Sequence, residues 1–224
     1  MKNITDIFFD LDHTLWDFDK NSALAFEAVF AKNKIEIELS AFLEIYVPIN
    51  HHYWEEYRYG KILQKDLRFN RLQDTFTELK IQLSKEKIRQ ISEEYIQHLP
   101  KSNHLFPDVI EALEYLYKKY NLHIITDGFE PVQWKKLHNS NINHYFKSVT
   151  TSEEAGAKKP NAMIFDCAIK KAGCNKNTAL MIGDNLEADV QGALKYGMQA
   201  VYFSTNTNHD GITIDSHRHL MKML

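Results

Sequence analysis

The chain has 224 residues, enough for one domain or two and for a sizeable core. Hydrophobic residues make up 44% and charged residues 25%, a globular composition that excludes disordered, collagen-like and disulfide-stapled classes. With 27 basic and 30 acidic residues the formal charge is −3, so the basic footprint needed to hold a nucleic-acid polymer or an anionic membrane is missing. No run approaches the roughly 18 apolar residues of a membrane span. The start Met1-Lys2-Asn3-Ile4-Thr5-Asp6 lacks the plan of a signal peptide, so a cytoplasmic protein is expected. Cys167 and Cys174 form neither a C-x-x-C nor a zinc pattern and are expected to be reduced and partly buried.

In chain order, the first apolar run is Ile7-Phe8-Phe9, short, rich in β-formers and followed at once by Asp10-Leu11-Asp12. This predicts a buried strand that delivers two carboxylates at its carboxyl end. The stretch 17–100 changes character. It carries helical patterns at Ala23 to Phe30, Ala41 to Tyr59, Leu63 to Leu79 and Ser84 to Leu99, with Asp19 or Asn21 as candidate cap of the first and Ser84 of the last. Beyond it, strand-like runs alternate with helical segments. Leu122-His123-Ile124-Ile125 ends in Thr126-Asp127-Gly128, Ala179-Leu180-Met181-Ile182 in Gly183-Asp184, and Ala200-Val201-Tyr202-Phe203 in Ser204. Helices are expected at Val109 to Tyr120, Val132 to Asn139, Ala162 to Ala172 and Ala188 to Tyr196. Such alternation predicts an α/β core with a parallel sheet covered on both faces, residues 1–16 and 101–224, and a helical insertion at 17–100. Ligands of these sheets bind outside the carboxyl ends of the strands. An insertion directly after the first strand stands above that end, where it could cover a site.

Four polar constellations fall at the strand ends. Asp10-Leu11-Asp12-His13-Thr14 pairs two carboxylates with a hydroxyl able to hold the turn, although acidic residues after strands also serve as plain turn formers. Thr126-Asp127-Gly128 sets a hydroxyl beside a glycine whose backbone can approach a ligand, and an ordinary strand-to-loop turn has the same look. Lys158-Lys159-Pro160 is a cation followed by a proline that would open the next helix, set against the default of a surface lysine pair. Gly183-Asp184-Asn185-Leu186-Glu187-Ala188-Asp189 bunches three acids at a helix start, where the helix dipole alone accounts for Glu187 and Asp189.

Together and in this order, the four constellations resemble the motif set of the haloacid dehalogenase-like hydrolase superfamily, over Asp10 to Asp189. The resemblance implies a Rossmann-like parallel sheet core with an inserted α-helical cap domain. It implies that Asp10 is a nucleophile forming an aspartyl-phosphate and that Asp12 is a general acid and then a general base. Mg²⁺ is expected on the Asp10 carboxylate, the Asp12 backbone carbonyl and the Asp184 carboxylate. Thr126 and Lys159, with the N–H groups of Asp127 and Gly128, are expected to bind the non-bridging phosphate oxygens. Asp189 is expected to position Lys159 or a metal-bound water. One residue departs from the pattern, because the superfamily often has Asn where this chain has Asp127. The change is mild if only the backbone N–H serves there, whereas a carboxylate aimed at the phosphate would weaken binding.

Asp12 argues for phosphate esters over haloacids, since halide leaves without a proton and the dehalogenase branch lacks the second Asp. Further matches resemble the pyrimidine 5′-nucleotidase branch: Phe8 to Phe18, Trp54, Tyr57, Gly60, Leu67-Arg68-Phe69, Ile124 to Phe129 and Ser152 to Gly156. They imply a nucleoside 5′-monophosphate as substrate. The aromatics of His51-His52-Tyr53-Trp54, Tyr57 and Tyr59 read first as helical core and second as a platform for a base, with Trp54 and Arg68 as the candidate substrate contacts. His51-His52 and His217-Arg218-His219 are not expected to bind a metal, because neighbouring helical residues do not share a face. The expectation is a cytoplasmic, Mg²⁺-dependent phosphatase of small phosphomonoesters, a monomer or a homodimer formed through exposed cap aromatics. Another small phosphate substrate, a phosphosugar mutase and a non-catalytic binding protein on the same fold stand as alternatives.

Overall fold

The structure is a computed structural model that describes residues 3–205 and 210–224. Met1 and Lys2, which begin the segment that bears on a targeting signal, lie outside the described residues. The chain begins with β1 (Asp6–Phe9) and continues through α1 (Phe18–Asn33), α2 (Leu39–Arg58), α3 (Gln64–Glu78) and α4 (Lys85–His98). It then alternates: α5 (Val109–Tyr117), β2 (Asn121–Thr126), α6 (Glu130–Asn139), β3 (Phe146–Thr151), α7 (Ser152–Ala155), α8 (Ala162–Ala172), β4 (Ala179–Gly183), α9 (Gly192–Tyr196) and β5 (Gln199–Phe203). β6 (Thr213–Ile214) and α10 (His217–Met223) follow. Two compact units result, Met1–Phe18 with Asn103–Leu224, and Asp19–Ser102.

In the first unit the strands pair in parallel in the order β3-β2-β1-β4-β5-β6. This is the α/β architecture expected, with strand order reversing beside β1, where open sheets of this type leave a crevice. β1 is buried at all four positions because it lies between β2 and β4, which explains its unbroken run of Ile and Phe. Behind it, Phe8, Ile125, Ile164, Phe165, Ala168, Met181, Ala193 and Met198 form one core cluster. The amino end of the sheet is tied by polar side chains. Asp6 accepts from Asn121 Nδ2 at 2.9 Å and Thr5 Oγ1 at 2.7 Å, and pairs with the buried His123 ring at 3.2 Å. Burial pushes the His123 imidazole below its ordinary value against the pull of Asp6. Cys167 and Cys174 are free and partly buried, and burial pushes the Cys174 thiol up to about 11.

The chain leaves and re-enters this unit through a short antiparallel ladder. Trp16 bridges Leu105, Asp17 N–H donates to His104 O at 3.0 Å, and Phe106 N–H to Leu15 O at 3.0 Å.

The second unit is helical and organised by rings. Phe26 of α1 stacks on Tyr95 of α4 at 4.1 Å between centroids and meets Phe42 and Tyr46 of α2 at 4.7 Å each. Phe76 of α3 lies 5.7 Å from Phe42. The buried Arg71 guanidinium is held by Asn50 Oδ1 at 2.7 Å and lies over the Tyr46 and Tyr95 rings. Ser84 caps α4 as expected, accepting from Lys87 N–H at 3.2 Å.

Several local expectations differ from what is observed. α1 starts at Phe18, so Asp19 sits in its first turn and Asn21 is buried within the helix, and neither caps it. The aromatic residues between 51 and 59 are half-exposed or exposed, since the ring core is filled from Phe26, Phe30, Phe42, Tyr46, Phe76 and Tyr95 instead. β3 and β6 have no counterpart among the expected strands. Phe-Lys-Ser-Val-Thr-Thr is an edge strand buried only at its last three positions, so it lacks an apolar run. Pro160 does not open α8, because Asn161 caps it by accepting from Met163 N–H at 3.0 Å. The segment expected as one helix from Ala188 splits into a π-helical turn over 186–191 and α9.

Because Phe26 touches rings from two other helices, Phe26→Ala should lower the unfolding free energy by about 3–5 kcal/mol, as large-to-small changes at buried aromatics do. Chemical denaturation read by circular dichroism checks this. A loss below about 1 kcal/mol would show that the ring cluster is not what holds the helical unit together.

Candidate active site

Parallel pairing puts the carboxyl ends of β1, β2 and β4 at one edge, and the polar residues follow directly: Asp10 after β1, Thr126 closing β2, and Asp184 after Gly183 of β4. Asp10 N–H donates to Ile182 O at 2.9 Å, which extends the β1–β4 ladder to the acidic residue itself. Lys159 reaches the same place from the loop before α8. Its Nζ donates to Asp10 Oδ1 at 2.5 Å and to the Ile125 carbonyl at 3.0 Å. It also stands 2.7 Å from Asp189 Oδ1, a contact of charge rather than of hydrogen-bond direction. Asp189 Oδ2 accepts Asn185 N–H at 3.0 Å. A Cβ on Gly183 would stand 2.2 Å from Asp189 Oδ2, so this carboxylate lies where only a glycine leaves room.

Carboxylate oxygens of Asp10, Asp184 and Asp189 lie within 4.8 Å of one another. Burial pushes the Asp10 carboxyl well above the ordinary value; Lys159 opposes this, and Asp189 and Asp184 add to it. Burial and then Asp189 raise Asp184 to about 6, against His13, Lys159 and the hydroxyl of Thr14. That hydroxyl donates to Asp184 Oδ1 at 3.1 Å, so Thr14 ties the loop after β1 to the residue after β4. Burial would push the Lys159 ammonium down, but Asp10, Asp189 and Asp127 together hold it well up, and it is charged. Three carboxylates facing one ammonium leave the cluster short of positive charge. An all-oxygen donor set of this kind suits a hard divalent cation such as Mg²⁺. Among the described residues no other group of three or more His, Cys, Asp or Glu side chains is close enough to hold a metal. His51 and His52 are exposed, His217 is buried, and His219 pairs with Asp215 at 3.0 Å.

Asp127 is not aimed outward from its loop. Its Oδ1 accepts Lys159 N–H at 3.0 Å and its carbonyl accepts Ser152 Oγ at 3.3 Å, so the carboxylate where Asn is common steadies the backbone of the lysine. Gly128 N–H donates to Thr126 Oγ1 at 3.2 Å. Asp12 turns to α6. Its Oδ1 accepts from Lys136 Nζ at 2.5 Å and its Oδ2 from Gln133 Nε2 at 3.0 Å. Lys136 is buried beneath the Trp16 and Phe18 rings, at 4.3 and 5.2 Å from their centroids. Burial pushes its ammonium below the ordinary lysine value while Asp12 opposes the shift. Sequence reasoning missed Gln133 and Lys136. Their one signal was the buried stripe of α6, Val132, Gln133, Lys136 and Leu137, where two polar residues occupy positions suited to apolar ones.

Trp54 and Arg68 belong to the helical unit. Trp54 is half-exposed on α2 with the Tyr57 ring 5.8 Å away. Arg68 on α3 is half-buried, and burial together with neighbouring Arg71 lowers its guanidinium.

The family model described as haloacid dehalogenase-like hydrolase matches residues 7–203. The pyrimidine 5′-nucleotidase YjjG of Escherichia coli is 28% identical over 89% of this chain and 86% of its own length. A glyceraldehyde 3-phosphate phosphatase of Methanothermobacter thermautotrophicus is 31% identical over 87% and 83%. Among solved structures, the magnesium-bound HAD-hydrolase YfnB of Bacillus subtilis superposes with a TM-score of 0.90 at 23% identity, covering 100% of this chain and 99% of that one. This last likeness is one of fold.

The raised Asp184 carboxyl fixes a sign. In the metal-free folded protein it binds a proton with a value of about 6, against an ordinary 3.8. Its stabilising contribution is therefore full below about 3.8 and lost as pH rises through about 6. In chelator, the melting temperature of the wild type relative to Asp184→Asn should rise as pH falls from about 7 to about 4. A difference independent of pH, measured by thermal unfolding across that range, would overturn this reading of the cluster.

Proposed function

Since the chain belongs to the haloacid dehalogenase-like hydrolase family, we propose that it is a Mg²⁺-dependent phosphatase of small phosphomonoesters that works through an aspartyl-phosphate, with a nucleoside 5′-monophosphate as substrate. The observation that carries this reading is the Asp10–Lys159 pair, buried at the carboxyl edge of the sheet inside an acidic cluster, with Asp12 two residues further on. The nucleotide assignment rests on YjjG and on the secondary matches to its branch.

Asp10 attacks phosphorus, the bond to the ester oxygen breaks, and Asp12 hands a proton to the departing alkoxide. In the second half, Asp12 takes a proton from water as its oxygen bonds to phosphorus, and the aspartyl–phosphorus bond breaks to return Asp10 and release phosphate. A haloacid would give Asp12 no such work, because halide needs no proton. Lys159 holds Asp10 and offers its remaining charge to the equatorial phosphate oxygens. The Thr126 hydroxyl accepts from Gly128 N–H, which leaves its own proton to donate to the phosphate beside the Asp127 N–H. Asp189 keeps Lys159 in place. Asp10, Asp184 and the Asp12 carbonyl would hold Mg²⁺, which neutralises charge so that an anionic carboxylate can approach an anionic phosphate. The helical unit is read as a cap that contributes substrate contacts through Trp54 and Arg68. We place the protein in the cytoplasm; no helix among the described residues is long and apolar enough to cross a membrane.

The 31% identity to a glyceraldehyde 3-phosphate phosphatase favours a second reading, a triose phosphate substrate on the same chemistry. One experiment separates them: phosphate release from nucleoside monophosphates, sugar and triose phosphates, with Mg²⁺ or chelator, for the wild type and Asp10→Asn. Hydrolysis fastest with pyrimidine monophosphates, lost in chelator and reduced more than about a thousandfold by Asp10→Asn, is the expected result. Preference for triose phosphate would replace the substrate, and full activity of Asp10→Asn would overturn the mechanism.

A further inference from the structure

We propose that Gln133 and Lys136 are positioning residues for Asp12, a clamp on α6 that fixes the carboxylate responsible for protonating the leaving group. This rests on the proposed role of Asp12 as general acid and base. Each Asp12 oxygen has its own donor, Oδ1 from Lys136 at 2.5 Å and Oδ2 from Gln133 at 3.0 Å. The donors stand three residues apart on one helix face. One anchored oxygen leaves a carboxylate free to swing, whereas two set the plane of the group. Further lone-pair directions stay open on both oxygens, and the Asp12 side chain keeps 21% of its surface exposed, so the clamped group can still exchange a proton with a ligand.

The arrangement is costly as packing. Lys136 buries an ammonium at 1% exposure, offset by the Asp12 charge and the faces of Trp16 and Phe18. Gln133 is equally buried, and its Oε1 has no hydrogen-bond partner. Leucine and methionine would fill both positions without these penalties, so filling space does not explain the residue types. Gly128 belongs to the same device: a Cβ there would stand 1.7 Å from Gln133 Nε2 and displace the amide from Asp12. Glycine at 128 thus gives Gln133 its path, while its N–H donates to Thr126 Oγ1.

The test compares an ester that needs leaving-group protonation, namely the alkyl phosphomonoester the wild type hydrolyses fastest, with p-nitrophenyl phosphate, whose phenolate leaves largely unaided. Wild type, Gln133→Leu, Lys136→Met, Asp12→Asn and the Asp12→Asn/Lys136→Met double variant are assayed with Mg²⁺, with thermal unfolding to establish that each is folded. The expected result is a fall in kcat of about 10- to 100-fold on the alkyl ester for each single clamp variant. KM should stay within about twofold, and the loss on p-nitrophenyl phosphate should be several times smaller. In the Asp12→Asn background Lys136→Met should cost nothing further. Losses that multiply in the double variant, equal losses on both esters, or a raised KM at unchanged kcat would each overturn the clamp. Should Lys136→Met be unfolded at the assay temperature, Gln133→Leu and its Asp12→Asn double carry the same comparison. Asp10→Asn keeps the two readings apart, since turnover persisting there overturns the aspartyl-phosphate while single-against-double losses still judge the clamp. A wild type that turns over neither ester overturns both.

Discussion

The ammonium of Lys159, buried between Asp10 at 2.5 Å and Asp189 at 2.7 Å, is the contact around which the edge of the sheet is arranged. It is a single cation among three carboxylates, and buried ions gain little net stability even when well paired. The surrounding residues accordingly serve to hold it. Asp127 accepts its backbone N–H, the Ile125 carbonyl accepts a hydrogen bond from its ammonium, and Gly183 leaves space for the carboxylate on its far side. The remaining imbalance appears in the raised carboxyls of Asp10 and Asp184. A cluster in this condition takes up positive charge from whatever supplies it, proton or divalent cation, and the two compete for the same oxygens.

Much of this is legible in the sequence because parallel strands buried on both faces read as apolar runs, and the polar residues at the end of each run mark the edge where ligands bind. Ile7-Phe8-Phe9 before Asp10 and Ala179 to Ile182 before Gly183-Asp184 are of this kind, and both lie in the middle of the sheet. β3 does not announce itself because an edge strand has one neighbour and tolerates Lys147 and Ser148. The helix after β4 reads as continuous because its apolar spacing is helical throughout. Its first turn is nonetheless wound wider, with Val190 N–H bonding Asn185 O five residues back while Asp189 N–H reaches the same oxygen. That turn carries Asp189, and wider turns of this sort are frequent at functional sites.

The role of Asp127 and the partners of Asp12 are beyond the reach of the sequence for another reason. Spacing can say which residues come after a strand, but not which way a side chain turns or what meets it from 121 or 124 residues away. Gln133 and Lys136 look like surface residues of an amphipathic helix until α6 is seen docked with that face inward. The ring core of the helical unit shows the same limit. Aromatics are plentiful from 51 to 59, yet α2 puts Phe42 and Tyr46 into the core and leaves His51 and His52 exposed, as is Tyr59 just after it.

The antiparallel ladder at Trp16–Leu105 and Asp17–His104 bears on how the chain folds. β1 must find β2 and β4 across everything from Asp19 to Ser102, and the entropy of closing a loop rises only with the logarithm of its length. The two ends of the insertion leave the sheet unit side by side, so once the ladder forms, the chain between β1 and its parallel neighbour β2 is shortened to the crossover through α5. A segment attached in this way can be lengthened, exchanged or reshaped while the strands that carry Asp10, Thr126 and Asp184 keep their register.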